Sequence, residues 1–244
     1  MKVLNATWDE ESLGVRTAEV SIGQGDSLEE IGSALREAEA SYRYLAVKLP
    51  TTRADACFLL SELGYTFVED MVFLEHDLHE IRRTPLEQRF YDSVKVERMQ
   101  DGDFEELLSE IDAGSFSFDR VSLDPYFSKE ASARRFHHWL MDEKSRGAIL
   151  MKASYKGQMS GFFTIRDTGD GVYSSALGGT FMKFRHTGIG INNQTPEIVK
   201  RLGGRKLVIG VSTNNMSQIR AVVRSGFFPV RANHVYIKHT DIAK

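Results

Sequence analysis

The chain of 244 residues is 41% hydrophobic and 27% charged, which excludes disorder and supplies one large core or two smaller ones. A formal net charge of -3 and a pI near 6.2 exclude a general attraction to nucleic acid or to an anionic membrane surface, so a bound polyanion needs a local site. Cys57 is the single cysteine, no leader-like segment opens the chain, and no apolar run reaches membrane-spanning length; the expectation is a cytoplasmic protein without disulfides.

Strands are predicted over residues 1–6 and 15–22, and Ser27 with Glu30 reads as a capping box for a helix running to about residue 40. Residues 42–49, rich in aromatic and branched side chains and stopped by Pro50, read as a buried strand. A helix over 53–63 ends at Gly64, and 65–78 is a strand or a bent strand pair returning from it. These elements form an α/β unit over 1–80, and the polar stretch 81–93 with Pro85 is the expected linker, part of it helical.

The second part, 94–244, opens with a strand over 94–99 and a helix over 103–111. After a loop of glycine, serine and aromatic residues, a longer helix is predicted from Ser128 to about Lys144. Strands at 148–155, 158–166 and 172–182 follow as a meander, then a helix over 188–202, a strand over 205–212, a helix over 215–225 and a strand pair over 227–238. The segments "SELGYTFVEDMVFLEHDL" and "VRSGFFPVRANHVYIKH" share one order: helix, glycine, aromatic, strands. His137 and His138 diverge on a helix and Cys57 has no ligand-type neighbour, so no metal site is expected.

The stretch "FRHTGIGINN", 184–193, joins a strand to a helix through Gly188 and Gly190. Such a turn leaves backbone N–H groups without partners at the positive end of a helix dipole, and glycine lets an anion approach them. The same glycines serve equally as plain turn geometry. A P-loop is excluded because no Lys-Ser or Lys-Thr follows Gly190.

The surrounding order resembles the GCN5-related N-acetyltransferase superfamily. Its signature is Arg or Gln, two residues, Gly, one residue, then Gly or Ala, and it stands here as Arg185-His186-Thr187-Gly188-Ile189-Gly190. The family continues with helix, strand, asparagine and a helix ending in Gly-Phe; this chain continues with "KLVIGVS", Asn214-Asn215 and "IRAVVRSGFF" ending in Gly226-Phe227. The segment 118–140, "GQMSGFFTIRD" and "NHVYIKH" are similar to the enzymes that acylate nucleotide-linked amino sugars, the group of dTDP-fucosamine acetyltransferase.

The resemblance implies an α/β (α+β) fold with a mixed, largely antiparallel central sheet flanked by helices over 94–244, preceded by a smaller degenerate half-copy over 1–80. It implies acetyl-CoA or another acyl-CoA as donor, no metal, and a dTDP- or UDP-linked amino sugar as acceptor, in cell-surface polysaccharide (O-antigen) biosynthesis. A protein, peptide or small-molecule amine is the alternative acceptor, and a coenzyme A-binding protein without turnover is the second alternative. Neither nucleic acid nor membrane is an expected partner, and monomer and homodimer stay open.

It also implies roles for particular residues. Strands 172–182 and 205–212 splay around the pantetheine arm, with the backbone at Gly179, Thr180 and Phe181 polarising the acyl carbonyl. Thr187, Gly188, Ile189 and Gly190 take the pyrophosphate, Lys183, Arg185 and His186 add charge, and Asn214 and Asn215 stand at the family asparagine. On the acceptor side, Asp119 and Arg120 meet a sugar-linked pyrophosphate or form a local cap and ion pair. His137 or His138 takes the amine proton or belongs to packing and solvent, and Phe118, Tyr126 and Phe127 stack on a nucleobase or anchor their loop. The family's acid is a tyrosine, and the alignment places Val222 there. Either the thiolate leaves without a side-chain acid, or water or a hydroxyl serves, with Tyr236, Ser212 and Thr213 as candidates, or the coenzyme is bound but not used.

Overall fold

The computed structural model describes residues 1–116, 119–185, 187, 191 and 194–240. The first part holds β1 (Lys2–Asn5), α1 (Thr7–Leu13), β2 (Thr17–Ser21), α2 (Leu28–Glu39), β3 (Tyr44–Pro50), α3 (Ala54–Glu62) and β4 (Thr66–His76). Then come α4 (Pro85–Ser93), β5 (Val94–Arg98), α5 (Asp101–Asp112), α6 (Arg120–Leu123), α7 (Lys129–Ser145), β6 (Ile149–Tyr155) and β7 (Gln158–Gly169). The chain continues with β8 (Val172–Ser175), β9 (Gly178–Thr180), a 3-10 turn (Met182–Phe184), α8 (Thr195–Arg201), β10 (Lys206–Ser212), α9 (Met216–Arg224) and β11 (Phe228–His239).

Local chemistry accounts for most helix starts. The Ser27–Glu30 capping box is present at α2, with the Glu30 N–H donating to Ser27 Oγ at 3.2 Å and the Ser27 N–H to the Glu30 carboxylate at 3.0 Å. A second box, Thr84 with Glu87, and Pro85 in the first turn make the latter part of 81–93 helical. Asn215 caps α9, and Gly226, at φ 90, ends it where a Cβ would meet His76 Nε2 at 3.0 Å.

Two strand expectations change. Residues 227–238, read as a pair, are the single long strand β11, bent by irregularities at Pro229/Arg231 and Val235/Tyr236, while 65–78, read as a strand or a bent strand pair, hold the single strand β4. Residues 172–182 are two short strands that part company, for a reason given below.

The strands form one mixed, largely antiparallel sheet flanked by helices, in the order β1-β2-β3-β11-β4-β10-β8-β7-β6-β5, with β9 on β7. Only β2–β3 and β8–β10 are parallel among these pairs. The last strand, β11, sits between β3 and β4, and β4 therefore lies between β11 and β10. The division at 81–93 separates two stretches of chain but does not separate the sheet. The two segments of similar pattern meet here, since β4 and β11 pair antiparallel along most of their length.

One apolar cluster, with Phe162, Phe163, Phe181, Leu207 and Val222, lies around the second part. Another lies under α2 and α3 and includes Ile31, Leu35, Val47 and Tyr236. A small third one joins Leu13, Tyr44, Val121, Ala131 and Ile237 where α1, α6 and α7 cover the sheet.

Candidate functional site

The sheet forks between β9 and β10. β8 pairs with β10 from Val172↔Lys206 to Ser175↔Ile209 and no further. β10 then runs on through Gly210, Val211 and Ser212 with only β4 at its side. The other branch turns onto β7: the Thr164 N–H donates to the Leu177 carbonyl at 2.8 Å and the Phe181 N–H to the Ser160 carbonyl at 2.8 Å. Glycine makes that turn possible. A Cβ on Gly161 would run into the Gly179 carbonyl oxygen, one on Gly179 into the Phe116 ring, and one on Gly178 would come 2.9 Å from Phe163 Cβ.

Pairing alternation decides which amides face the fork. Phe181 and Ser160 exchange a hydrogen bond toward β7, so Thr180, one residue back and opposite Gly161, turns its N–H and C=O away from β7. Of the backbone groups at Gly179, Thr180 and Phe181, those of Thr180 are directed into the gap, and the Phe181 N–H is already used. Gly178 and Gly210 are exposed on the two branches.

The other described coenzyme-side candidates lie on the segments that follow β9 and β10. Lys183 is exposed, its Nζ 2.7 Å from Gln158 Oε1. Arg185 donates to the Ser115 carbonyl, and Thr187 Oγ1 to the Phe184 carbonyl at 2.6 Å, so both tie the chain leaving β9 back onto itself and onto the end of α5. The Asn214 N–H donates to Ser212 Oγ at 3.2 Å, and the Asn215 side chain accepts from the Gln218 N–H at 3.2 Å. His186, Gly188, Ile189, Gly190 and Phe118 lie outside the described residues.

The acceptor-side candidates divide differently. Asp119 is a cap, accepting from the Ser122 N–H at 3.0 Å, and it also receives Arg135 Nη1 at 2.6 Å. Arg120 is 5% exposed and pairs with Asp9 of α1, which takes Arg135 Nε at 2.6 Å on its other oxygen. Burial alone would raise the Asp9 carboxyl, but Arg120 and Arg135 outweigh it and hold that carboxyl below the usual range. Arg120 is thus engaged inside the protein with Asp9, 111 residues away, and not with its neighbour Asp119, which acts as a cap. His137 Nδ1 lies 3.0 Å from Asp112 Oδ1 and His138 Nδ1 2.9 Å from Ser12 Oγ; both line a surface groove with Glu130 and Arg134. Tyr126 is 76% exposed and stacks on His239 with centroids 4.2 Å apart.

Tyr236 stands apart from the fork. It lies on β11, two strands from β10 at roughly 4.8 Å per strand, and is 8% exposed in the core under α2 and α3. Burial, with Cys57 adding to it, pushes its phenol up to about 12. Val222 is 0% exposed and belongs to the core cluster of the second part.

Sequence reasoning missed Glu69 of β4. It is 3% exposed, and its Oε2 has no hydrogen-bond partner among the described residues. Burial pushes its carboxyl above the usual range, and a hydrogen bond from Ser212 opposes that rise. The signal was present as "FVEDMVF", a charged pair inside an apolar strand: Asp70 points to His234, 2.6 Å away, while Glu69, on the other face, has no such ion partner.

No protein-family model matches the sequence, and no curated protein does. Solved structures do match. A functionally unknown conserved protein from Staphylococcus epidermidis is 15% identical with a TM-score of 0.65, over 93% of this chain and 85% of its own. A GCN5-related N-acetyltransferase from Sphaerobacter thermophilus is 16% identical with a TM-score of 0.62, over 98% and 75%. Another from Kribbella flavida is 16% identical with a TM-score of 0.59, over 91% and 81%. The fold is therefore that of GCN5-related N-acetyltransferases. Among the described residues, no cluster of three or more metal-ligating side chains occurs and no helix is long and apolar enough to cross a membrane.

Proposed function

We propose that this chain is an acyl-CoA-dependent N-acyltransferase that moves an acetyl or short acyl group onto the amine of a dTDP- or UDP-linked amino sugar. The observation that carries the reading is the fork: two strand edges diverge with their backbone donors and acceptors unclaimed by any strand among the described residues, and glycine stands on each branch. The pantetheine arm is an extended chain with amides of its own, and it fits such a gap as an added strand would. Bound acyl-CoA supplies an activated thioester carbonyl. The protein's part is to hold and polarise it, with the Thr180 N–H as the donor aimed into the gap and the Gly188 and Gly190 segment for the phosphates. Residues 1–80 read as a degenerate half-copy of the fold of 94–244, linked through 81–93, in a cytoplasmic enzyme.

Support for the acceptor is the likeness of 118–140 to nucleotide-sugar acyltransferases, with Tyr126 as an exposed ring for a nucleobase. The Val222 core position favours a second reading, a coenzyme A-binding protein without turnover, because no side-chain acid stands where the family has one. Free-thiol release from acetyl-CoA, measured against dTDP- and UDP-linked amino sugars and beside coenzyme A calorimetry, separates the two. Release with one sugar is the expected result; binding with no release from any amine favours the second reading, and no binding sinks both.

A further inference from the structure

The strand exchange brings a carboxylate from the first part of the chain to the end of β10 in the second. Met71 of β4 pairs with Ser212, and the next residues lock together, the Thr213 N–H donating to the Asp70 carbonyl at 2.8 Å and the Asp70 N–H to Thr213 Oγ1 at 3.2 Å. Glu69 follows one position beyond. Ser212 itself is two residues past Gly210, where β10 comes free of β8, so Glu69 stands two positions, roughly 7 Å, beyond Ser212 and four positions, roughly 13 Å, along the strand from Gly210.

The bonding around it is directional. The Asn214 N–H donates to Ser212 Oγ at 3.2 Å, which leaves the Ser212 hydroxyl hydrogen free to turn toward Glu69, and Ser212 opposes the rise of that carboxyl. Glu69 Oε2 meets neither solvent nor a donor among the described residues. The nearby charges are committed elsewhere: Arg120 to Asp9, Arg135 to Asp9 and Asp119, and Lys48, across Val235 on the same face, to Glu19 at 2.7 Å. Asp9, also out of solvent, has an arginine on each oxygen. Glu69 is buried with no ion partner among the described residues and with Oε2 unpaired, which is costly unless a ligand atom meets it.

We propose that Glu69 is the general base of the acceptor site, with Ser212 orienting its carboxylate. The proposal rests on the acyltransferase reading. The amine nitrogen attacks the thioester carbonyl carbon, the N–C bond forms as the amine proton passes to Glu69 Oε2, and the C–S bond breaks to release coenzyme A thiolate, which takes its proton from water. The site is then composite: β4 supplies the base, and β9 and β10 hold the acyl donor.

The test is Glu69→Gln, which keeps the shape, with Glu69→Asp as a second variant. Acetyl-CoA is offered with dTDP- and UDP-linked amino sugars, glucosamine, spermidine and a lysine-containing peptide, while coenzyme A affinity is read by calorimetry. The expected result is coenzyme A affinity within twofold of the unaltered protein, kcat/KM for the amine down by about a hundredfold or more, and loss of the acid limb of the pH profile. Glutamine turnover within threefold overturns the base assignment and leaves the acyltransferase reading standing. Coenzyme A binding with no transfer to any amine, or no binding at all, overturns both. A readout apart from turnover comes from stability: a raised carboxyl pKa means that ionisation opposes folding, so the melting temperature of Glu69→Gln should gain on the unaltered protein as pH rises above the unfolded carboxylate value of about 4.3. A difference that is flat with pH also overturns the assignment.

Discussion

Asp9 of α1 and Arg120 of α6, separated by 111 residues in sequence, form an ion pair with the Asp9 side chain wholly out of solvent. Arg135 of α7 completes it on the second oxygen. Together with the Ser12–His138 contact, it joins the first part of the chain to α6 and α7. Asp9→Ala leaves two buried guanidinium groups short of a partner, and breaking such a pair costs about 3–5 kcal/mol. Denaturant unfolding of the variant measures the loss directly, and a loss below about 1 kcal/mol would show that the pair is not fully desolvated.

The same pair gives a pH dependence of definite sign. Arg120 and Arg135 hold the Asp9 carboxyl below the usual carboxylate range. A lowered folded-state value contributes stability that is present above the unfolded pKa and is lost as pH falls through the folded one. The stability gap between the native protein and Asp9→Ala should therefore be constant from about pH 7 to about pH 5 and close below about pH 4. Unfolding free energies at several acid pH values check this; a gap that closes near neutrality would assign the effect to another group.

Gly161 carries the fork. Its Cα lies against Gly179, and a methyl group there has backbone in its way, which cannot yield as a side-chain end can. Gly161→Ala should cost about 1–3 kcal/mol by overpacking, push β9 off β7, and weaken coenzyme A binding by roughly tenfold. Gly210→Ala is the control, because its Cβ would meet only Phe73 and Met71 side chains at 3.4 and 3.5 Å. Equal losses in the two variants would mean that the β9–β7 contact does not set the width of the gap.

Tyr236→Phe should leave both turnover and coenzyme A affinity within about twofold of the native protein. Its phenol, pushed up to about 12, belongs to the core under α2 and α3, two strands from the fork. Steady-state kinetics and calorimetry decide it. A fall in kcat that leaves the fold intact would return Tyr236 to the list of acids.

The difference between what the sequence showed and what it hid follows the range of the interactions. Ser27 with Glu30, Asn215 and Gly226 act within a turn of their own helices, and those ends were legible. α1 was not, because its seven residues begin at Thr7 behind Ala6, which offers no side-chain cap. The insertion of β11 between β3 and β4 was hidden for a different reason: alternation gives a strand its faces but not its neighbours. The placement of Arg120 depended on Asp9, and that of Glu69 on Ser212, partners more than a hundred residues away. At the fork the glycines were visible, but Gly161 acts across a strand pair, so 172–182 read as one strand where the chain splits.

The family resemblance aligns Val222 with the superfamily's acid, and the tempting experiment is to restore it. The residue is 0% exposed, packed with Phe227 and Ile219 in the core of the second part. Tyrosine adds a ring and a hydroxyl to a site with room for neither, so Val222→Tyr should lose about 1–3 kcal/mol or more and leave its hydroxyl without a partner. Turnover should fall or stay level rather than rise, which thiol release together with a melting curve will show. A rise in kcat in a stably folded variant would mean that α9 turns this position toward the fork when the donor is bound, and that the missing acid, not its placement, limits the reaction.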